Sequence, residues 1–264
     1  MVETIHSIVL GIVQGISEFL PISSSAHLVI LPYLFNWQYK GLQFDVALHF
    51  GTVIAIVVYF WKDWAKITKS AFTKKSETEY PSNILWQILV ATIPAGLVGY
   101  FIADFVESTF HSPYLLAGNL IVFGLLLWLV DKLTKKQLLS KEISYLQSFI
   151  VGLAQSIALI PGVSRSGITM IASRSLGLNR ESAAKFSFLL GTPAMVGAFI
   201  LEARKMTVDD LNLPFFAGVA ASALAGAFAI KFLLAYLKKS DFSIFVAYRI
   251  ILALIVLVIA LYYR

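Results

Sequence analysis

The sequence has 264 residues, of which 58% are hydrophobic and only 14% are charged, compared with about 25% charged residues in soluble chains. Its mean hydropathy of +0.80 predicts an integral membrane protein. The chain contains no cysteine, which excludes disulfides, a thiol nucleophile and a thiolate metal site. The net charge of +6 comes with lysines in short loops, so it predicts membrane topology and no nucleic-acid partner.

The first apolar region, residues 5–36, is interrupted at Pro21, and three serines follow soon after the break. Its two pieces have about 12 to 17 residues each, which is short for a membrane crossing of about 20 residues. Non-helical backbone at membrane depth is tolerated only where protein or a water-filled cavity covers it. We therefore expect a re-entrant helical hairpin, which enters the membrane and returns to the same face.

Three apolar runs of spanning length follow, at approximately residues 42–61, 84–103 and 114–130. A second interrupted region, residues 144–178, breaks at Pro161. Three further spans follow, at approximately residues 183–202, 214–236 and 243–262. This order predicts an all-α integral membrane fold of about six transmembrane helices and two re-entrant helical hairpins. The alternative is that each hairpin is a pair of short, tilted crossings, which gives ten crossings in all.

Lysines distinguish the two sides of the membrane by the positive-inside rule. Three segments are lysine-rich and are expected to face the cytoplasm. The segment after residue 61 carries Lys62, Lys66, Lys69, Lys74 and Lys75, the segment after residue 130 carries Lys132, Lys135, Lys136 and Lys141, and the turn after residue 236 carries Lys238 and Lys239. The loops around Asp104 and His111 and around Asp209 are then expected to face outward, although Arg204 and Lys205 make the second an imperfect case. Both termini fall outside, and one hairpin enters from each face.

The two interrupted regions match each other along the chain. With an offset of 141 residues, several positions of the first region align with identical residues of the second, among them Gly11 with Gly152, Gln14 with Gln155, Ile16 with Ile157, Ser23 with Ser164, and Ser25 with Ser166. Each region is followed by three spans, and an odd number of crossings inverts the second copy. The sequence therefore predicts an inverted-topology repeat within one membrane domain, with residues 1–140 as the first unit and 141–264 as the second. Such folds place a polar site between broken helices near the midplane.

Polar side chains cluster at both breaks. The first hairpin supplies Gln14, Glu18, Ser23, Ser24, Ser25 and His27, and the second supplies Gln155, Ser164, Arg165, Ser166 and Thr169. Gln14 and Glu18 are four residues apart and share a helix face. The stretch "SRSGIT" begins a half-helix, whose N-terminal N–H groups and positive end suit an anion, and Arg165 adds a planar fork for phosphate oxygens. We expect the second hairpin to hold a phosphate and the first to supply the chemistry.

Simpler roles exist for several of these groups. Any of the serines could serve helix packing, His27 could be a satisfied interior histidine, and Arg165 could form a structural ion pair with Glu18. Asp45 and His49, four residues apart in the next span, either line the site or bond to each other. Three basic residues are expected near helix ends, with side chains that extend to the membrane surface: Lys185, Lys231 and Arg249.

Two stretches, "GIVQGISEFLPISSSAHL" and "PGVSRSGIT", resemble the undecaprenyl-diphosphate phosphatase family, also called bacitracin-resistance proteins. The resemblance extends over essentially the whole chain, including "FSFLLGTPAM" and "FVAYR". Gln14 stands at the first acidic position of the family pattern, a variation that the pattern allows. Carried over to this sequence, the family's functional positions are Gln14, Glu18, Ser24, His27, Ser164, Arg165, Ser166 and Thr169.

The resemblance implies a substrate and a reaction. The lipid carrier undecaprenyl diphosphate is hydrolysed to undecaprenyl phosphate and inorganic phosphate, which recycles the carrier for cell-wall synthesis and is linked to bacitracin resistance. It also implies dependence on a divalent cation, Mg²⁺ or Ca²⁺, and a site at the outer face of the bacterial plasma membrane. The expected partners are this polyprenyl diphosphate and the bilayer. The sequence leaves the oligomeric state open, with a homodimer as one option.

In the expected mechanism, Glu18 holds the cation on phosphate oxygens, with Gln14 as a neutral second ligand. Ser24 is the expected nucleophile, and His27 is either its base or the acid for the leaving group. Direct attack by water is the alternative. The expected phosphate-binding residues are Ser164, Arg165, Ser166 and Thr169.

Two other functions are compatible with part of the sequence. A transporter or flippase of the lipid carrier is favoured by the inverted repeat alone, but it does not explain why a carboxylate, a free hydroxyl, a histidine and a phosphate site come together. A purely structural membrane subunit leaves Arg165 and Glu18 without a reason to be buried.

Overall fold

The computed structural model of the chain describes residues 1–37, 41–73, 81–109, 112–135, 137–139 and 143–262. Within these ranges the regular structure is helical, apart from one isolated bridge between Leu138 and Leu178. The helices are α1 (Val2–Phe19), α2 (Ser24–Leu34), α3 (Leu42–Tyr59), α4 (Trp61–Thr73), α5 (Ile84–Thr109), α6 (Pro113–Leu133), α7 (Tyr145–Ser156), α8 (Arg165–Ser175), α9 (Arg180–Ala203), α10 (Leu213–Leu237) and α11 (Ser243–Tyr262). Five residues used above as topology markers lie outside the described residues: Lys74, Lys75, His111, Lys136 and Lys141.

Six of these helices are long and apolar enough to cross a membrane, with mean hydropathies between 1.6 and 2.9 in their most apolar stretches. They are α3, α5, α6, α9, α10 and α11, and they confirm the six predicted spans. The chain is therefore an all-α integral membrane protein.

α4 forms a helix where the sequence analysis expected only a lysine-rich loop. Ile67 and Ser70 are buried on one side of α4, whereas Lys62 and Lys66 are exposed on the other. One buried face and one charged face are typical of a helix that lies along a membrane surface. The charge pattern alone did not reveal this because the lysines interrupt the apolar positions.

Four other helices, α1, α2, α7 and α8, form two hairpins. α2, α7 and α8 have 11, 12 and 11 residues, too few to cross a bilayer, and α1 has 18, slightly more than predicted. In the first hairpin the rings of His6 and Trp37 stack with their centroids 4.0 Å apart, so the start of α1 lies beside the end of α2. In the second, Leu138 exchanges backbone hydrogen bonds with Gly177 and Asn179, which joins the approach to α7 to the end of α8.

The tips of the two hairpins meet inside the protein. The hydroxyl of Ser166 donates a hydrogen bond of 3.2 Å to the backbone oxygen of Leu20, next to the first break. Their open ends lie at opposite ends of α3, because His6 shares a cavity with Gln43 whereas Glu181, just after α8, shares a cavity with Tyr59. Two full crossings per hairpin would place the breaks at opposite faces. The contact between the tips therefore favours re-entrant hairpins over the ten-crossing alternative.

Equivalent glycines hold each hairpin against a spanning helix. A Cβ on Gly11 of α1 would overlap the backbone oxygen of Gly218 on α10, and a Cβ on Gly152 of α7 would overlap the backbone oxygen of Ala91 on α5. Small residues at such crossings allow two helix backbones to approach closely. The matched contacts support the predicted inverted repeat, whose division at residue 140 stays a prediction.

A buried cation–carboxylate cluster supports the lysine-rich end of the molecule. Asp131 on α6 accepts hydrogen bonds of 2.9 Å from the Nε groups of both Arg174 and Arg180. Arg174 also donates to backbone oxygens of Leu178 and Thr134, so a charged side chain with 1% exposure is fully engaged. This cluster fixes α6 to the end of the second hairpin and does not reach the hairpin tips.

Candidate active site

Glu18 is the centre of a polar network where the hairpin tips meet. It lies in the last turn of α1 with 5% of its surface exposed. Its Oε1 accepts a hydrogen bond of 2.7 Å from Nη2 of Arg165, and its Oε2 accepts one of 2.6 Å from the hydroxyl of Ser24. Gln14, one turn earlier on the same helix face, donates to Oε2 at 3.2 Å. The structure thus brings together four of the predicted site residues, from both hairpins.

His49 of α3 adds a fifth group to this network. Its Nε2 lies 3.4 Å from Oε2 of Glu18, and its Nδ1 donates a hydrogen bond of 2.7 Å to the backbone oxygen of Asp45. The sequence left two roles open for Asp45 and His49: to line the site or to bond to each other. In the structure His49 does both, because it contacts Glu18 and also bonds the main chain of Asp45.

Arg165, the first residue of α8, is held in place by the facing helix α9. Its Nη1 donates to the backbone oxygen of Ser187 at 3.0 Å, while Nη2 contacts both Glu18 and the sulfur of Met195. Gly191 lies directly against the guanidinium, so any side chain at this position would displace it. The Nε group is buried and has no hydrogen-bond partner within the described residues. This N–H remains available for an oxygen of a ligand.

The hydroxyls predicted to bind phosphate hold the start of α8 together in this structure. Ser164 is the N-cap of α8 and accepts a hydrogen bond from the backbone N–H of Gly167 at 3.1 Å. Ser166 bonds to Leu20, as described above, and Thr169 shares a hydrogen bond of 2.6 Å with the hydroxyl of Ser187. Because their present partners belong to the protein, phosphate binding by these three hydroxyls stays a prediction.

His27 lies one turn into α2, and its ring bonds Ser23 and Tyr248. Its Nδ1 donates a hydrogen bond of 2.7 Å to the backbone oxygen of Ser23, and its Nε2 is 2.7 Å from the hydroxyl of Tyr248. A carbonyl oxygen only accepts, so in the neutral ring Nε2 accepts the Tyr248 proton. The hydroxyl of Ser24 bonds Glu18 instead of His27. Glu18 is consequently the group placed to take a proton from Ser24.

Arg249 is a structural element of the site that the sequence analysis assigned wrongly. Instead of extending to the membrane surface, its side chain is completely buried. It donates hydrogen bonds of 2.9 to 3.3 Å to backbone oxygens on both sides of the tip contact: Asn119, Leu120, Pro21, Gly162 and Val163. One guanidinium therefore links the first break to the second. The sequence feature that could have indicated this role is the position of Arg249, which is the seventh residue of an apolar helix and not at its end.

The residues around Glu18 include oxygen donors of the kind that divalent cations prefer, and cation binding stays a prediction. Within the described residues, no group of three His, Asp or Glu side chains could hold a metal by itself. Gln14 Oε1 is nevertheless buried beside Glu18 without a hydrogen-bond partner in the described part of the chain. A carboxylate and an amide oxygen are ligands suited to Mg²⁺ or Ca²⁺, and Mg²⁺ commonly takes the remainder from phosphate and water.

Comparison with known proteins identifies the family of this chain. A family model described as "Bacitracin resistance protein BacA" matches residues 7–255. A protein of Pelotomaculum thermopropionicum named undecaprenyl-diphosphatase is 48% identical over 97% of this chain and 96% of its own length. Proteins with the same name from Caldicellulosiruptor bescii and Desulforudis audaxviator are 47% and 46% identical, over 96% and 97% of both chains. This chain belongs to the bacitracin resistance protein BacA family.

Proposed function

We propose that this protein hydrolyses undecaprenyl diphosphate to undecaprenyl phosphate and inorganic phosphate, and so recycles the lipid carrier of cell-wall synthesis. The observation that carries the proposal is the position of Glu18. Its carboxylate accepts hydrogen bonds from both the Ser24 hydroxyl and the Arg165 guanidinium, where the tips of the two hairpins meet. The family and the names of its relatives support the same substrate.

The diphosphate binds at the start of α8 in this proposal. Arg165 presents its buried Nε group and can turn Nη2 from Glu18 to a phosphate oxygen. The N-terminal N–H groups of α8 face the same anion, because the first turn of a helix has no internal partners for them. Ser164, Ser166 and Thr169 keep this turn in shape and add hydroxyls near the phosphate oxygens.

Ser24 acts as the nucleophile toward the terminal phosphorus. As its Oγ forms the new P–O bond, its proton passes to Oε2 of Glu18, which already accepts it in a hydrogen bond of 2.6 Å. The bond between this phosphorus and the bridging oxygen breaks, and undecaprenyl phosphate leaves with a charge that Arg165 stabilises. Glu18 first releases this proton to solvent. Water then attacks the phosphoserine, Glu18 accepts one proton from the water and passes it to Oγ of Ser24 as the bond between Oγ and phosphorus breaks, and inorganic phosphate is released.

His27 and Tyr248 complete the first break in this scheme. Their hydrogen bonds fix the backbone oxygen of Ser23, the residue directly before the nucleophile, so they orient Ser24. Protonation of the leaving group by His27 requires that its Nε2 exchange Tyr248 for the lipid phosphate. Glu18 and Gln14 would hold a divalent cation, Mg²⁺ or Ca²⁺, which supplies neutralising charge on the phosphate oxygens.

The test is release of inorganic phosphate from undecaprenyl diphosphate by the purified, detergent-solubilised chain, with and without a chelator of divalent cations. We expect turnover that the chelator abolishes and that added Mg²⁺ or Ca²⁺ restores. A folded protein that releases no phosphate contradicts the proposal and favours the transporter or flippase, since transport requires a sealed membrane. Activity that survives chelation contradicts the cation dependence alone.

Trapping distinguishes the two routes of attack. If Ser24 is the nucleophile, acid quenching during turnover leaves labelled phosphate on Ser24, and Ser24→Ala removes both label and activity. A Ser24→Ala protein with most of its activity would instead establish direct attack by water, with Glu18 as its base.

We also propose that the site faces outward across the bacterial plasma membrane. This orientation rests on the lysines of α4 and of the segments after α6 and α10, which the positive-inside rule assigns to the cytoplasm. In this cysteine-free chain, Asp209→Cys should react with an impermeant thiol reagent on intact cells, whereas Lys135→Cys should react only after lysis. Labelling of Lys135→Cys from outside would reverse the orientation.

A homodimer also stays a proposal. The mass of the detergent-solubilised particle tests it.

A further inference from the structure

A basic cavity lies at the lysine-rich end of the molecule, away from the hairpin tips. It has a volume of about 630 Å³ and is enclosed by the end of α3, the start of α4, the first turns of α9 and the last turns of α10. Four lysines and two carboxylates line it: Lys185, Lys231, Lys238, Lys239, Asp63 and Glu181. With all of these groups charged, the cavity has a net charge of +2.

The carboxylates of this cavity do not neutralise its lysines. Oε1 of Glu181 lies 3.6 Å from Nζ of Lys185 and 3.7 Å from Nζ of Lys238, so one acidic group is shared between two ammonium groups. Within the described residues, no hydrogen bond or ion pair engages the ammonium group of Lys231 or Lys239. The cavity therefore has positive charge left for an anion.

The depth of Lys231 indicates where this anion comes from. Lys231 lies six residues before the end of α10, which corresponds to about 9 Å along the helix axis. Its neighbours Phe228 and Phe232 are 73% and 54% exposed, so this side of α10 faces lipid. A lysine at such a place is stabilised when its ammonium group reaches the level of the lipid phosphates.

The opposite ends of the same helices form a cavity of the other charge. It has a volume of about 470 Å³ and lies between the starts of α1, α3 and α10. Glu3 and Asp210 line it together with His6, and the described residues that form it include no lysine or arginine. α3 and α10 thus connect an acidic end to a basic end. Because the two cavities differ in charge, an anion would bind at the lysine-rich end and not at the acidic end.

We propose that the basic cavity binds the phosphate headgroup of an anionic phospholipid from the bilayer leaflet at the lysine-rich end. The four lysines surround the phosphate, and the acyl chains lie along the exposed aromatic side of α10. Basic cavities between membrane helices on the cytoplasmic side are suited to such headgroups, and anionic lipids are abundant in that leaflet. The inference does not depend on hydrolysis, because none of these residues contacts the hairpin tips.

The experiment measures thermal unfolding of the full chain in detergent, titrated separately with phosphatidylglycerol, phosphatidylcholine and inorganic phosphate. We expect a saturable rise in Tm with phosphatidylglycerol and no comparable rise with the other two. The double substitution Lys231→Gln and Lys239→Gln should weaken the response about 25-fold in lipid concentration, because each lysine near a phosphate contributes about a factor of five.

A matched control separates the cavity from the general surface charge. Lys62→Gln and Lys66→Gln remove the same charge from α4 at the same end of the molecule, outside the cavity, and should leave the phosphatidylglycerol response unchanged. Equal losses in both double variants, or an equal response to phosphatidylcholine, would overturn the proposal. An equal response to inorganic phosphate would assign the cavity to a soluble anion. If the cavity variant does not fold, native mass spectrometry of the unsubstituted protein decides, since preferential retention of phosphatidylglycerol over phosphatidylcholine is required.

Discussion

The two hairpin breaks have nearly the same backbone and different chemistry. Ser23 and Ser164, which precede α2 and α8, have φ values of 73° and 74°, a left-handed conformation that is uncommon for serine. The residues that follow them, Ser24 and Arg165, both donate to the carboxylate of Glu18, one to each oxygen. Equivalent positions therefore supply a hydroxyl from one side and a guanidinium from the other.

Only one of the two hairpins has the carboxylate. The position equivalent to Glu18 is Leu159, and Gln155, the equivalent of Gln14, has no hydrogen-bond partner for either amide atom within the described residues. The repeated backbone thus places the polar N-termini of two helices opposite each other. The proposed catalytic arrangement additionally requires different side chains at equivalent positions. Substitutions at the residues that join the two breaks, make them alike or make them different test this comparison.

The largest expected effect comes from the arginine that joins the breaks. Arg249→Met removes the guanidinium hydrogen bonds from five backbone oxygens, and we expect the free energy of unfolding to fall by about 4 kcal/mol. Thermal or denaturant unfolding in detergent measures this loss. Arg204→Met, at an exposed position, is the control and should change little. An Arg249→Met protein as stable as the control would show that the breaks hold together without this residue.

The second prediction removes the carboxylate that distinguishes the first break. Glu18→Gln should lower phosphate release about 100-fold or more, in the range expected for one lost electrostatic contact to a transition state. Partial recovery at raised Mg²⁺ would identify Glu18 as a cation ligand, whereas loss of one limb of the pH–rate profile without recovery would identify it as a base. Glu3→Gln, at the exposed start of the same helix, serves as control. Full, cation-independent activity of Glu18→Gln would leave the residue as a structural partner of Arg165.

The third prediction tests whether the two halves are held alike. Gly11→Ala and Gly152→Ala each force a methyl group against a backbone oxygen of the neighbouring helix, and each should lower the free energy of unfolding by about 2 kcal/mol. Gly96→Ala on α5 has open space around the new methyl group and should be neutral or slightly stabilising. Chemical unfolding of the three variants side by side makes the comparison. Tolerance of only one of the first two substitutions would mean that the matched contacts are not equivalent.

The fourth prediction concerns the guanidinium that distinguishes the second break. Arg165→Lys keeps the positive charge but loses the planar fork, and we expect activity to fall at least about tenfold in a protein that still folds. Arg204→Lys at the exposed end of α9 provides the control. Near-normal turnover by Arg165→Lys would remove the case for phosphate binding by its fork. Failure of Arg165→Ala to fold would instead strengthen the structural ion-pair interpretation.

The sequence predicted the six spans and the two breaks because their signals are local. Apolar runs define the spans, and Pro21 and Pro161 mark where helices stop. It also predicted that Glu18 and Arg165 belong to one site, because both are polar groups beside such breaks. These features need no knowledge of how distant segments pack.

Features that depend on distant segments could not be predicted in this way. Arg249 bonds only to backbone oxygens from three other parts of the chain, and a carbonyl has no sequence signature. His27 was expected to serve Ser24, but one helical turn separates them, and its ring meets Tyr248 from the far end of the chain instead. His49 required the packing of α3 against α1 to bring it to Glu18.

A double-mutant cycle on phosphate release tests whether the two breaks form one catalytic site. The rates kcat/KM are measured for the unsubstituted protein, Glu18→Gln, Arg165→Lys and the double variant, each confirmed as folded. Residues that act as a unit give strongly non-additive losses. We therefore predict that the double variant is about as slow as Glu18→Gln alone. Losses that multiply, so that the double variant is slower by the product of the two single effects, would contradict a shared site at the tips of the hairpins.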